Sequence, residues 1–257
     1  MIRRIRNVIR KEWTAIAATP SSLLFVVAIP LMLIIQALFL VWLLPRFISP
    51  DVVSLFVEGE GELQGTDMFR LLLLSQFRFF VLLIPAMVAN VFATLSIVEE
   101  KLTRTLEPLL ATPVRTWELL TGKAISGVVP ALLITWASAG LFVVGASALG
   151  WAELLRHALD ATWFLSLFVL TPAVSVLSFV LGIIGSSRAS DAKSAQNLAV
   201  LVVFPIFALI AVQVTGLVRF TPLLTILLSI GITAVDVLLL WVAVRLFARE
   251  SILIRWR

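Results

Sequence analysis

Six stretches of this chain, each long enough for a helix of about 20 residues to cross the hydrocarbon core of a bilayer, run with almost no charge. Lipid offers no partner to an exposed backbone N–H or C=O, so each such run must close its own hydrogen bonds as a helix. The hydrophobic cores are expected at 22–44, 72–97, 125–149, 163–184, 198–217 and 223–244. With 61% hydrophobic and 14% charged residues in 257 and a mean hydropathy of +1.10, the composition lies far outside that of soluble domains. The expected fold is an all-α integral membrane protein, one transmembrane domain over 1–257. Only Arg219, Phe220, Thr221 and Pro222 separate the last two runs, a spacing that also fits a re-entrant hairpin, and Pro205 interrupts the fifth run.

Positive charge sets the orientation, because Lys and Arg near span ends stay in the cytoplasm. Arg3, Arg4, Arg6, Arg10, Lys11, Lys101, Arg104, Arg115, Lys123, Arg188, Lys193, Arg245, Arg249, Arg255 and Arg257, 15 of the 20, fall on one side. Arg46, Arg70, Arg156 and Arg219 fall on the other, and Arg78 lies within a span. Both termini are therefore expected in the cytoplasm, with the chain in the plasma (cell inner) membrane. The basic residues are dispersed over loop ends without interleaved aromatics, which excludes a nucleic-acid surface.

Residues 1–20 read as an amphipathic helix lying in the membrane interface. Ile2, Ile5, Val8, Ile9 and Trp13 recur at helical spacing, with Arg3, Arg4, Arg6, Arg10 and Lys11 on the other face. The apolar run behind them is too long for a signal peptide. Such a helix suits anionic lipid and a protein contact equally well.

Catalytic chemistry is poorly supplied. There is no cysteine, and the single histidine, His157, sits one turn from Asp160 in a Trp-rich connection that reads as membrane interface. Glu58, Glu60 and Glu62, alternating with glycine near Asp51 and Asp67, read as a solvated external loop rather than a metal site. No phosphate-binding loop is present, since Gly122-Lys123 is followed by Ala124. No metal or cofactor is assigned to this chain, and any ATP hydrolysis belongs to a separate polypeptide.

The segment 99–122, cytoplasmic and between the second and third spans, breaks the apolar pattern. Leu102, Leu106, Leu109 and Leu110 follow the spacing of one helical face, with Arg104, Glu107 and Pro108 turned away. A short helix can begin near Thr105 with Pro108 in its first turn. Thr112-Pro113 then forces an extended residue and a restart, Thr112 capping and Pro113 opening a second helix. Two short helices joined at an angle can transmit force from a soluble partner.

The run IVEEKLTRTLEPLLATPVRTWELLTGK, Ile97 to Lys123, resembles the signature of type-two ABC transporter permeases: an acidic-basic run, Thr-Leu-Glu, a leucine pair, Thr-Pro-Val, and Gly-Lys opening the third span. Arg104 stands where the family commonly has glycine. The resemblance implies a half-transporter, with two permeases, identical or paralogous, forming the path and two ABC ATPase subunits, carrying ATP and Mg, docking from the cytoplasm. It also implies that Thr103 to Thr112 is the coupling helix, with Leu106, Glu107, Pro108, Leu109 and Leu110 at its centre and Arg115 just beyond. Glu99 and Glu100 would be its charged approach and Arg3 to Trp13 a connecting helix.

For the path, intramembrane polar groups are the candidates. Arg78 can snorkel outward or face the path, and Asp236 fits either the path or an interhelical link. Asn90 and Gln36 read as interhelical hydrogen-bond partners, and Trp151, Glu153 and Trp163 as an interfacial belt. External connections are short except from Arg46 to Arg70, so the substrate is handled within the membrane. Few charges favour an amphiphilic or hydrophobic substrate, a drug, lipid or peptide, with ions also compatible. The rival reading is an ATP-independent channel or carrier.

Overall fold

The computed structural model describes residues 2–18, 20–47, 65–102, 116–188, 204, 208 and 220–246. In chain order these form α1 (Ile2–Ala18) and α2 (Pro20–Leu43), the latter ending in a 3-10 turn, Leu44–Arg46. Then come α3 (Gly65–Leu102), α4 (Thr116–Ala148) and the short α5 (Ala152–Ala158). The next span is built in three pieces, α6 (Ala161–Leu165), a π-helical turn (Ser166–Leu170) and α7 (Thr171–Arg188), and α8 (Pro222–Leu246) follows. Among the described residues there is no strand, and five helices are long and apolar enough to cross a membrane. The expected fifth core, 198–217, lies outside the described residues apart from two single positions.

Two spans are longer than the sequence suggests. At 1.5 Å per residue the 38 residues of α3 reach about 57 Å and the 33 of α4 about 50 Å, against a hydrocarbon core of about 30 Å. The helix of α3 therefore takes in Asp67 and Arg70, assigned by the sequence to the external connection, and their side chains pair at 2.9 Å. At the opposite end it runs on through Glu100, and α4 begins at Thr116. Of the expected 99–122 segment, 99–102 and 116–122 are helical ends of α3 and α4, and 103–115 lies outside the described residues.

On α8 the packing differs from that of a soluble helix. Lipid tails are as apolar as leucine, so helices associate through close backbone approach and polar contacts. The buried residues of α8 are Thr225, Ser229, Asp236 and Ala243, on one stripe, while Leu223, Ile230, Leu238 and Trp241 face outward. Helix α3 occupies the centre, with Ala86, Ala89 and Ala93 wholly buried and α7 and α4 packed against it. A Cβ on Gly182 of α7 would lie 2.8 Å from Ala93 Cβ and 2.9 Å from Asn90 Oδ1, so glycine lets α7 approach α3 this closely. Toward the α5 end the core is aromatic, with the Phe77 and Phe142 rings stacked at 3.4 Å between centroids.

The turn after α4 is a Schellman cap that only glycine accommodates without strain. Gly150 has φ +87°, the Gly150 N–H donates to Ser147 O, and the Trp151 N–H reaches back to Ala146 O. Trp151 and Trp163 are buried beneath α5, not spread in a lipid-facing belt, because the cap and the Asp160 side chain, which accepts from the Trp163 N–H at 2.7 Å, fold both indoles inward. Glu153 alone of the three stays exposed, paired with Arg156. His157 Nδ1 lies 3.1 Å from the Glu153 carbonyl.

Proline explains the broken span. In the π turn the Thr171 N–H donates to Ser166 O, five residues back, and the next N–H in that register would come from residue 172, a proline. The Leu167 carbonyl is thereby left without a backbone donor. It accepts instead from the Thr171 hydroxyl and from Trp136 Nε1 of α4 at 3.2 Å. Membrane helices tolerate proline where neighbours satisfy the freed group.

Candidate functional site

The same logic attaches α1 to the bundle. Pro130 interrupts α4 and frees the carbonyl of Ser126, four residues earlier, and Trp13 Nε1 of α1 donates to it at 3.1 Å. One turn away Val8 is buried against Gly122, where any added Cβ would lie 2.9 Å from the Val8 side chain. Helix α1 thus lies on the first turns of α4, its Arg3, Arg6 and Arg10 exposed.

Between these contacts sits a buried charge cluster. Lys123 of α4 is 1% exposed; its Nζ lies 3.0 Å from Glu12 Oε1 on α1 and 2.9 Å from Glu100 Oε1 on α3. It also donates to the Ser96 hydroxyl, which in turn donates to Glu12 Oε2 at 2.8 Å. Lys11 closes the group from the exposed side, bonded to Glu100 and 3.5 Å from Glu12. Two ammonium and two carboxylate groups balance, so the cluster is neutral, and its centre is buried. At the edge Arg4 pairs with the buried Glu118 at 3.6 Å. Three elements, α1, the end of α3 and the start of α4, are held in one block, and the last two are the ends from which 103–115 departs.

The electrostatics give the block a pH range. For Glu12, burial alone would raise the carboxyl, but the charge and hydrogen bond of Lys123, then Ser96 and Lys11, outweigh it and hold Glu12 below its ordinary 4.5. For Lys11, burial alone would lower the ammonium, but the hydrogen bond and charge of Glu100, then Glu12, hold it above its ordinary 10.5. A lowered acid stabilises above its unfolded value and loses that contribution as pH falls through its folded value; a raised base stabilises below its unfolded value and loses it as pH rises through its folded one. Protection of the α1 amides from hydrogen exchange is therefore expected to hold between 4.5 and 10.5 and to fall outside that window. Glu12→Gln should weaken the acid limb; an unchanged acid limb in that variant would remove Glu12 from the cause.

The cluster gathers some of the residues the sequence singled out and adds others. Glu100, Lys11 and Trp13 are in or beside it, and Arg4 is at its rim. The side chain of Glu99 is outside the described residues, as are Arg104, Thr105, Leu106, Glu107, Pro108, Leu109, Leu110, Thr112, Pro113 and Arg115. Glu12, Ser96, Glu118 and the central role of Lys123 were missed; their signal was a charged residue bordering an apolar run in three places, Glu12 and Lys123 just before one and Glu100 just after one. Of the intramembrane candidates, Arg78 is helical within α3, its side chain outside the described part. Asn90 is buried and accepts from Thr94 of its own helix at 3.2 Å. Gln36 is exposed on α2, not packed between helices of this chain. Asp236 is buried on α8, and its Oδ1 has no hydrogen-bond partner.

A bundle of long apolar helices, with an amphipathic helix fastened by buried charges to the facing ends of two of them, defines a multi-pass membrane protein. The family model described as ABC-2 family transporter protein matches residues 6–242. The chain belongs to that family and is a permease component of an ABC transporter. No curated protein matches it.

Proposed function

We propose that this chain is the membrane half of an ATP-driven exporter, that 103–115 is its coupling element, and that the block of α1, α3 and α4 is the lever. The observation that carries this reading is Lys123, held at once by Glu12 and Glu100. A push on the segment enters both α3 and α4, and the shared ammonium prevents the two ends and α1 from moving separately. Closure of two cytoplasmic ABC ATPase subunits on ATP would then tilt the spans of two paired permeases between inward- and outward-facing states. Both termini and the block lie in the cytoplasm in this reading, on the plasma membrane, and the cargo is amphiphilic or hydrophobic.

Purification of the chain from its host in mild detergent tests it. A soluble ABC ATPase should co-purify with the wild type and fall by about tenfold or more with Glu107→Arg, because a reversed charge in a desolvated contact is strongly unfavourable. Recovery of no ATPase with either chain, both well folded, would overturn the exporter reading in favour of an ATP-independent channel or carrier.

A further inference from the structure

The five bases of α1 divide into two groups. Lys11 is bonded to Glu100 and lies 3.5 Å from Glu12, and Arg4 lies 3.6 Å from Glu118, so these two face the acids of the bundle. Arg3, Arg6 and Arg10 are exposed, and among the described residues none of them has an acid within ion-pair distance. They recur at i, i+3 and i+7, and at about 100° per residue they fall within a sector of about 60°. That sector lies across the helix from Val8 and Glu12, the residues α1 buries against the bundle.

The depth of this stripe is fixed by what the other side of α1 touches. Arg4 meets Glu118, Val8 meets Gly122, Glu12 meets Lys123 and Trp13 meets Ser126, so α1 follows the first turns of α4 in the same direction. From residue 118 to residue 126 α4 rises about 12 Å and passes from charged to apolar. By Ile125 and Val129, 39% and 37% exposed, it presents the large apolar side chains of a lipid-facing span, so the turns before them lie at the level of the headgroups. Trp13 closes the stripe there: it follows Arg10 by three residues and Arg6 by seven, its side chain is 47% exposed, and its indole N–H donates to Ser126 O at 3.1 Å. A half-exposed indole beside arginines at the edge of the hydrocarbon is the pattern of a membrane surface, a depth that a soluble acidic partner does not reach.

We propose that the stripe of Arg3, Arg6 and Arg10 binds the phosphates of anionic phospholipids, so that α1 joins the bundle on one face to the lipid surface on the other. The acids beside α1 are already matched by Lys11, Lys123 and Arg4, which leaves this positive face without a counter-charge from the bundle. A guanidinium offers a planar fork of N–H donors that fits two oxygens of a phosphate, and three of them in a row favour a surface that repeats the anion over a single small one. The inference rests on the export reading only for the leaflet, the cytoplasmic one, which carries the anionic lipid.

The test is binding of two fluorescent lipids with the same acyl chains, phosphatidylglycerol and phosphatidylcholine, to the full chain in mild detergent. The wild type should prefer phosphatidylglycerol by about tenfold or more at low salt, and the preference should shrink as salt rises, since exposed charges are screened. Arg3→Gln, Arg6→Gln and Arg10→Gln together should bring the two lipids to within about twofold, while Lys at the same three positions keeps most of the preference. All three side chains are exposed, so thermal unfolding of the Gln variant should match that of the wild type. Equal affinity of the wild type for the two lipids, a preference that salt leaves unchanged, or full preference retained in the Gln variant overturns the proposal. A Gln variant that keeps its lipid preference but no longer retains an ABC ATPase also overturns it, and assigns the stripe to a protein contact. The lipid assay contains no ATPase, so its failure leaves the co-purification result standing, and failure of the latter leaves this one standing.

Discussion

Lys123→Met is expected to lower the stability of the folded chain by about 3–5 kcal/mol, the usual effect of removing one partner from a buried ion pair. Glu12 and Glu100 would remain, 4% and 3% exposed, with their carboxylates brought together around the vacated ammonium position. Lys11 cannot take over from its side, being half exposed and already committed to both acids. The loss comes from two desolvated negative charges left facing each other rather than from the missing bond. Adding Glu12→Gln and Glu100→Gln to Lys123→Met should therefore recover much of the stability, because a neutral polar core carries no like-charge repulsion. Thermal unfolding in detergent distinguishes the two variants. If Lys123→Met lies within about 1 kcal/mol of the wild type, the cluster is not what holds α1 to the bundle.

The contrast between what the sequence foretold and what the cluster contains has a physical origin. Span positions were legible because lipid enforces a simple rule, about 20 apolar residues with the backbone closed, and α2 and α8 end within a few residues of where the charge pattern stops. The ends of α3 and α4 were not legible, because a helix that leaves the bilayer can continue on charged residues and hydropathy registers only the part in lipid. Lys123 counted only as one of the cytoplasmic charges, and Glu12 carried no signal of its own. Their burial follows from a contact 111 residues apart in the chain, which no local period encodes. The π turn was hidden for a related reason: Pro172 is visible, but the register shift it favours depends on Trp136 arriving from another helix. Asp236 was visible as an anomaly. Whether it was a link between helices depended on its neighbours, and these offer Oδ1 nothing.

Gly127→Leu is expected to prevent recovery of a folded, monodisperse chain, while Gly140→Leu on the same helix should be tolerated. A Cβ at Gly127 would lie 2.3 Å from Phe179 Cε2, 2.7 Å from Phe179 Cδ2 and 3.2 Å from Phe92 Cβ. Phe179 is 1% exposed and Phe92 4%, so the ring has no free volume to turn into, and α4 would have to withdraw from α3 and α7 together. Overpacking a close-packed site by one or two methylenes costs about 1–3 kcal/mol, and an isobutyl group adds four carbons where even the first does not fit. Withdrawal of α4 would also carry Lys123, one turn earlier, away from Glu100, so the loss spreads from the apolar junction into the charge cluster. At Gly140 no atom lies within 4 Å of a Cβ, the residue faces outward, and leucine there meets lipid and improves helix propensity by roughly 1 kcal/mol or less. Size-exclusion profiles and thermal unfolding of the two variants are the readout. Equal behaviour, whether both folded or both lost, would show that the α3–α4–α7 crossing is not set by the missing side chain at residue 127.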